Sequence, residues 1–210
     1  MLTKEFTKML LDDPVSLLDT KIDVIIDLCK KHQVTNLLEI GSFAGGSAYK
    51  IAKALSNVKI TSIDINEFDS YFNDPGNVHI LEMLYERYKP NIIYPDTMLE
   101  IQDLYNKSIS NLKIKQCELY HLDITPFDLI IVDGDHRDHI VEQELEFIFN
   151  NKNECIIIID DIGYPPFSIK KSVEKFCSKY NLEVNYTYPR YESSTNQTEN
   201  DIAIIVYSNV

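Results

Sequence analysis

The chain has 210 residues, of which 44% are hydrophobic and 10% aromatic, enough for one domain around one buried core and too apolar for disorder. Lys and Arg number 20 against 33 Asp and Glu, a formal net charge of −13, so the summed field repels a phosphate backbone and argues against nucleic acid as a partner. The longest apolar runs, at 156–159 and 202–206, fall far short of the roughly 20 residues of a membrane-spanning helix. The N-terminal leucines are interrupted by acids and lysines, unlike a secretory leader, so the expected compartment is the cytoplasm.

In chain order, apolar spacing at i, i+3 and i+4 predicts a helix over 15–31. A strand over 36–40 follows, then the glycine-rich turn LEIGSFAGGS and a helix over 46–55. A second strand, 59–64, ends in Asp64. The next segment, 65–110, is rich in Tyr, Asn and Pro, and its length suggests a lid-like insertion with helical pieces over 78–88 and 96–106. Strands at 112–117 and 128–133, a helix over 139–150, a strand at 155–160, a helix over 168–180 and strands at 182–186 and 201–207 complete the chain. Alternating strands and helices predict an α/β domain, a doubly wound sheet of seven strands. The linker 187–200 is too short to hold a crossover helix, so the last strand is expected to be antiparallel. Cys29, Cys117, Cys155 and Cys177 are widely spaced in apolar contexts and read as buried free thiols.

Four motifs carry chemistry. Gly41, Gly45 and Gly46 open a turn where a backbone approaches a ligand and the following helix aims its free N–H groups at it. The spacing departs from the dinucleotide pattern G-x-G-x-x-G, because Phe43 stands where the second glycine makes room for a pyrophosphate. Asp64, ending the second strand, is placed to accept from both hydroxyls of an adenosine ribose. The run FDLIIVDGDHRDH delivers Asp133, Asp135, His136, Asp138 and His139 to the same sheet edge, and CIIIIDDIG adds Asp160 and Asp161. Three carboxylates converging from adjacent strand ends, Asp133, Asp160 and Asp161, repel one another unless a cation or proton intervenes. An all-oxygen site of this kind suits Mg²⁺, Mn²⁺ or Ca²⁺ better than zinc.

These residues, within 37–180, resemble the class I S-adenosylmethionine-dependent methyltransferases, and among them the metal-dependent small-molecule O-methyltransferases of the macrocin O-methyltransferase type. The resemblance implies a Rossmann-like, mostly parallel sheet in a single methyltransferase domain. It implies S-adenosylmethionine held by Glu39, Gly41, Ser42, Phe43, Gly45 and Gly46, with Asp64 and Ile65 at the ribose and Asp133 at the inner end. Where relatives carry a Gly-Asp-Ser-like step beside the adenine, this chain has Lys115, Gln116 and Cys117. Asp133, Asp160 and Asp161 match the family's positions for a divalent metal, and His136 matches its candidate general base, with Asp133 beside it. The implied partner is a small-molecule acceptor, a sugar or phenolic hydroxyl.

Two other readings stay open on the residues alone. A nicotinamide-dependent oxidoreductase or epimerase shares a glycine turn and a strand-end acid, although Phe43 and the lack of a Tyr-x-x-x-Lys pair with a serine partner count against it. A non-catalytic protein that binds an adenosyl ligand would leave the acids as solvated loop ends. The N-terminal helix and the insertion both offer material for a homo-oligomer contact.

Overall fold

Seven strands lie in one sheet in the order β3-β2-β1-β4-β5-β7-β6. They are β1 (Asn36–Ile40), β2 (Lys59–Asp64), β3 (Leu112–Gln116), β4 (Leu129–Val132), β5 (Glu154–Ile159), β6 (Val184–Thr187) and β7 (Ile202–Ser208). The computed structural model describes residues 2–15, 21–65, 73, 78–88, 95–163, 169–187 and 202–208. The strands from β3 to β5 pair in parallel, whereas β7 runs antiparallel to both β5 and β6. The antiparallel end expected from the short last linker is therefore present. Its residues 188–200 lie outside the described set.

Helices cover both faces, which is why the central strands are apolar on both sides. Leu37, Ile60, Leu129, Ile131 and Ile158 point into one core, with residues of α1 (Lys4–Asp12), α2 (Ile22–Lys31), α3 (Gly46–Ala54), α4 (Val78–Tyr88) and α5 (Pro95–Ser108). Leu38, Ile130, Val132, Ile157 and Ile159 point into the other, with α6 (Asp138–Asn151) and α7 (Ile169–Tyr180). Helix α1, which the periodicity did not separate out, starts at Thr3, whose Oγ1 accepts from the Phe6 N–H at 3.2 Å. The helix expected over 15–31 begins later, at Ile22, and residues 16–20 lie outside the described set. Cys29, Cys155 and Cys177 are buried thiols, but Cys117 is only half-buried, because it follows β3 at the open edge. Among the described residues, no helix is long and apolar enough to cross a membrane.

The segment expected to act as a lid contains the connection between the parallel strands β2 and β3. Its helix α5 packs into the core rather than over the edge: Met98, Ile101 and Tyr105 are fully buried, one helical face at i, i+3 and i+7. Tyr105 stacks on Tyr49 at 4.6 Å between ring centroids. Its hydroxyl accepts from the Val15 N–H at 3.0 Å and donates to the Leu10 carbonyl at 3.3 Å. Tyr88 is likewise core, Tyr85 is exposed, and Tyr71 and Tyr94 lie outside the described residues. Tyr105→Phe keeps the ring and strips Val15 N–H of this acceptor, so urea unfolding should show a loss of about 1–3 kcal/mol. A loss below about 0.5 kcal/mol would place the hydroxyl pair outside the fold's energetics.

Candidate active site at the carboxyl edge of the sheet

Register brings the predicted site residues to one level. Ile40 lies opposite Ile63 and Val132, and Val132 opposite Ile159, so Gly41, Asp64, Asp133 and Asp160 leave or end their strands side by side. The ladder continues one residue beyond the strands: Gly41 N–H donates to the Ile63 carbonyl at 2.9 Å, Asp133 N–H to Ile40 at 3.0 Å and Asp160 N–H to Val132 at 3.0 Å. Between β1 and β4 the strand order reverses direction, which leaves a crevice at the carboxyl ends. Gly41 sits at that crevice with φ 94°, and a Cβ built on it would lie 2.1 Å from the Asp133 carbonyl oxygen. Neither the backbone angle nor the space admits a side chain.

The turn itself is tied down at several points. Phe43 holds φ 46°, a conformation unfavourable for a bulky residue. Its N–H donates to Asp64 Oδ2 at 2.8 Å and its carbonyl accepts from the Gln102 side chain. Asp64 therefore anchors the turn as well as standing at its mouth, and a carboxylate oxygen retains capacity for a further donor. Gly45, at φ 83°, precedes α3, and a Cβ there would meet Ile114 Cδ1 at 2.3 Å. Gly46 opens the helix. Ile65 is half exposed beside Asp64. The Gln116 amide donates to the Ile65 carbonyl at 2.9 Å, and Cys117 N–H to that of Asp64 at 2.9 Å, so these positions share the edge.

Beneath the turn, Glu39 is 1% exposed. Ser62 Oγ donates to Glu39 Oε2 and lies 2.7 Å from Ser42 Oγ, while Glu39 Oε1 has no hydrogen-bond partner among the described residues. Burial pushes the Glu39 carboxyl up to about 8, with Ser62 opposing and Asp133 and Asp64 adding to the rise.

The acid cluster differs from the expected triple. Asp160, expected beside Asp133 and Asp161 at a metal, is met here by a lysine from the N-terminal part of the chain. Lys21, immediately before α2, places Nζ 2.5 Å from Asp160 Oδ1 and 2.6 Å from Asp161 Oδ1. Burial works against the Lys21 charge, but Asp160 and Asp161 outweigh it and its pKa is raised. Asp160 is pushed well up by its own burial and by Asp133, in spite of Lys21. Asp161 holds φ 50°, which turns its carboxylate toward both Lys21 and His136. His136 Nε2 stands 3.7 Å from Asp133 Oδ1 and 3.6 Å from Asp161 Oδ2. Burial opposes the imidazolium, but Asp133 and Asp161 prevail and raise the His136 pKa. Among the described residues, the group whose donor atoms gather within 4.8 Å is Asp133, His136 and Asp161.

Other charges of the DGDHRDH run turn elsewhere. Asp135 pairs with Arg137, Asp138 begins α6, and His139 is exposed. Lys21 escaped the sequence reading because no motif surrounds it; the available signal was three acids in need of a cation.

The model of one protein family, described as a methyltransferase domain, matches residues 38–162. Solved structures share the fold over nearly the whole chain. A Staphylococcus aureus protein provisionally named a caffeoyl-CoA O-methyltransferase superimposes with a TM-score of 0.61 at 16% identity, covering 97% of this chain and 90% of that one. An O-methyltransferase from Bacillus cereus, solved with S-adenosylhomocysteine, gives 0.56 at 13% identity over 99% and 93%. One from Streptomyces achromogenes, involved in tomaymycin synthesis and solved with S-adenosylmethionine, gives 0.51 at 13% over 100% and 92%. The sequence matches no curated protein.

The buried carboxyl makes stability depend on pH. Glu39 titrates near 4.5 when unfolded and about 8 when folded, so between these values the folded state binds the proton more tightly and stability falls as pH rises. Glu39→Gln removes that titration. Melting temperatures measured at about pH 5.5 and about pH 8 should fall less for the variant than for the wild-type chain; an equal fall in both overturns the assignment.

Proposed function

The chain belongs to the methyltransferase-domain family, and from that premise we propose that it moves the methyl group of S-adenosylmethionine to a hydroxyl oxygen of a small molecule. The observation that carries this reading is the meeting, at one edge, of the strained glycine turn anchored by Asp64 with a histidine flanked by Asp133 and Asp161. Neighbouring folds solved with S-adenosylhomocysteine or S-adenosylmethionine support the choice of cofactor. The nicotinamide alternative has no comparable support, and Phe43 fills the place its pyrophosphate needs.

On this reading Glu39, Gly41, Ser42, Phe43, Gly45 and Gly46 form the floor under the cofactor's methionine part. Asp64 and Ile65 meet the ribose, and Gln116 and Cys117 border the adenine. When bound, S-adenosylmethionine supplies a methyl carbon already activated by its sulfonium, so the protein's part is orientation and proton removal. His136 Nε2 takes the acceptor's hydroxyl proton as the oxygen bonds to carbon, and the carbon–sulfur electron pair stays with sulfur. Asp133 and Asp161 then stabilise the imidazolium. The mobile proton thus has a defined acceptor.

A second reading keeps the divalent metal of the macrocin-type subclass, and the closeness of the Asp133, His136 and Asp161 donor atoms favours it. These residues would hold the ion, which would lower the pKa of a bound hydroxyl. Imidazole in the set makes Mn²⁺ as suitable as Mg²⁺. A metal-bound His136 nitrogen has no lone pair for a proton, so the two readings assign that atom different work.

Calorimetry with S-adenosylhomocysteine tests the cofactor. Wild-type chain should bind it, and Asp64→Ala should bind about 10- to 100-fold more weakly, the loss of charge-assisted hydrogen bonds. No binding by the wild type sinks the proposal. On a panel of phenolic and sugar acceptors, His136→Gln should lower turnover ~10²- to 10⁴-fold with cofactor affinity retained. Cofactor binding without turnover on any acceptor would favour a binding protein. Activity that survives excess chelator assigns His136 the proton, whereas activity lost to chelator and restored by Mn²⁺ or Mg²⁺ assigns it the metal.

A further inference from the structure

We propose that the Lys21 ammonium is the resident cation of the Asp160–Asp161 pair, and that it holds down the affinity of this edge for a divalent metal. Without that ammonium, Asp133, Asp160 and Asp161 become a strong carboxylate site for such an ion. The inference rests on the reading of this edge as the catalytic one for its consequence in catalysis, but not for the binding it describes.

Position comes first. The Lys21 carbonyl accepts from the Ile25 N–H at 3.2 Å, so the residue belongs to the first turn of α2 and its side chain is launched from a fixed backbone. Its side chain is 7% exposed and that of Asp160 4%. Burial of this depth is rare for either residue type unless it is paired, and here one ammonium spans two acids. Its Nζ pairs with Oδ1 of Asp160 and donates to Oδ1 of Asp161. Asp161 Oδ2 and Asp133 Oδ1 are the oxygens that face His136.

That division has two consequences for a metal. The ammonium holds the Asp160 carboxylate, so a metal recruiting Asp160 would have to compete with it for that group. A divalent ion seated among Asp133, His136 and Asp161 also has a positive charge one carboxylate away, a repulsion that a medium of intermediate dielectric does not cancel. The acid triple that would compensate a divalent ion is therefore already partly compensated from within the chain. Arg in place of Lys keeps that charge, and Met keeps the bulk of the stem without it.

The test is Mn²⁺ binding, followed by titration calorimetry and by the spin-resonance signal of the free ion, with the full chain and no acceptor present. Lys21→Met should bind Mn²⁺ at least about tenfold more tightly than wild type, and Lys21→Arg within about threefold of it, as expected for a charge effect at this range. A Met variant that binds no more tightly than wild type overturns the proposal. If Lys21→Met alone fails to fold, the double variant Lys21→Met with Asp160→Asn leaves no buried charge unpaired. It should bind Mn²⁺ no more weakly than wild type, because Nζ no longer draws on Asp161. Weaker binding would mean that Asp160 already served the metal beside Lys21 and would equally overturn the proposal. Binding of S-adenosylhomocysteine by the same samples separates this outcome from the proposed function: its loss in wild type defeats that function alone, whereas Mn²⁺ affinities indifferent to Lys21 defeat only the inference drawn from the lysine.

Discussion

Gly41 approaches the Asp133 carbonyl so closely that a methyl group in its place would lie 2.1 Å from the oxygen, and the rest of the edge is built around that approach. It sets the turn after β1 directly against the end of β4. Everything on the turn is thereby brought to everything on the β4 loop: Phe43 and Asp64 on one side, His136 and Asp133 on the other. A bulkier residue would have to push the two strand ends apart, and the register that puts Ile40 opposite Val132 leaves no room for it. The glycine acts less as a flexible joint than as a missing side chain at a backbone contact.

The second constraint is charge. A chain of formal charge −13 gathers, among the described residues, Glu39, Asp64, Asp133, Asp160 and Asp161 at this edge, and they are answered in different ways. Glu39 is held by a serine hydroxyl and pushed toward its protonated form. Asp64 accepts a backbone N–H, Asp133 faces an imidazole, and Asp160 and Asp161 share an ammonium. These answers are local and incomplete, since one lysine stands against two acids. An edge with an excess of buried acid suits a cofactor that carries a sulfonium, and it repels phosphate.

How much of this was legible in the sequence depended on the range of the interactions. The bounds of β1 and β2 coincide with those read from the apolar runs, because both runs are buried on two faces and end at a glycine or an acid. β4 is one residue shorter at each end than the strand expected over 128–133: the Asp128 side chain accepts from the N–H groups of Thr35 and Asn36 at 2.7 and 2.9 Å. The segment 65–110 reads as lid-like from its length and polarity, whereas the i, i+3, i+7 stripe of Met98, Ile101 and Tyr105 within it is a core face. The need for a cation among the acids was legible. Its identity was not, since the contact between Lys21 and Asp161 spans 140 positions and no local pattern records it.

That long-range contact changes what the N-terminal segment is. Lys21 is one of several ties between this segment and the body of the fold: Val15 N–H donates to the Tyr105 hydroxyl at 3.0 Å, the Tyr88 hydroxyl donates to the Pro14 carbonyl at 3.2 Å, and Arg87 pairs with Asp13. Three of these ties come from the connection between β2 and β3, the side of the glycine turn, and Lys21 reaches the acids that follow β5. Residues 13–15 are therefore fastened on the side of the turn and Lys21 on the side of the acids. Loss of the Val15 contact would take a donor from Tyr105, which stacks on Tyr49 behind the turn, and loss of the Lys21 contact would leave the charges of Asp160 and Asp161 less compensated. The two sides of the edge thus draw on contacts from residues close together in the sequence, Asp13 to Val15 and Lys21.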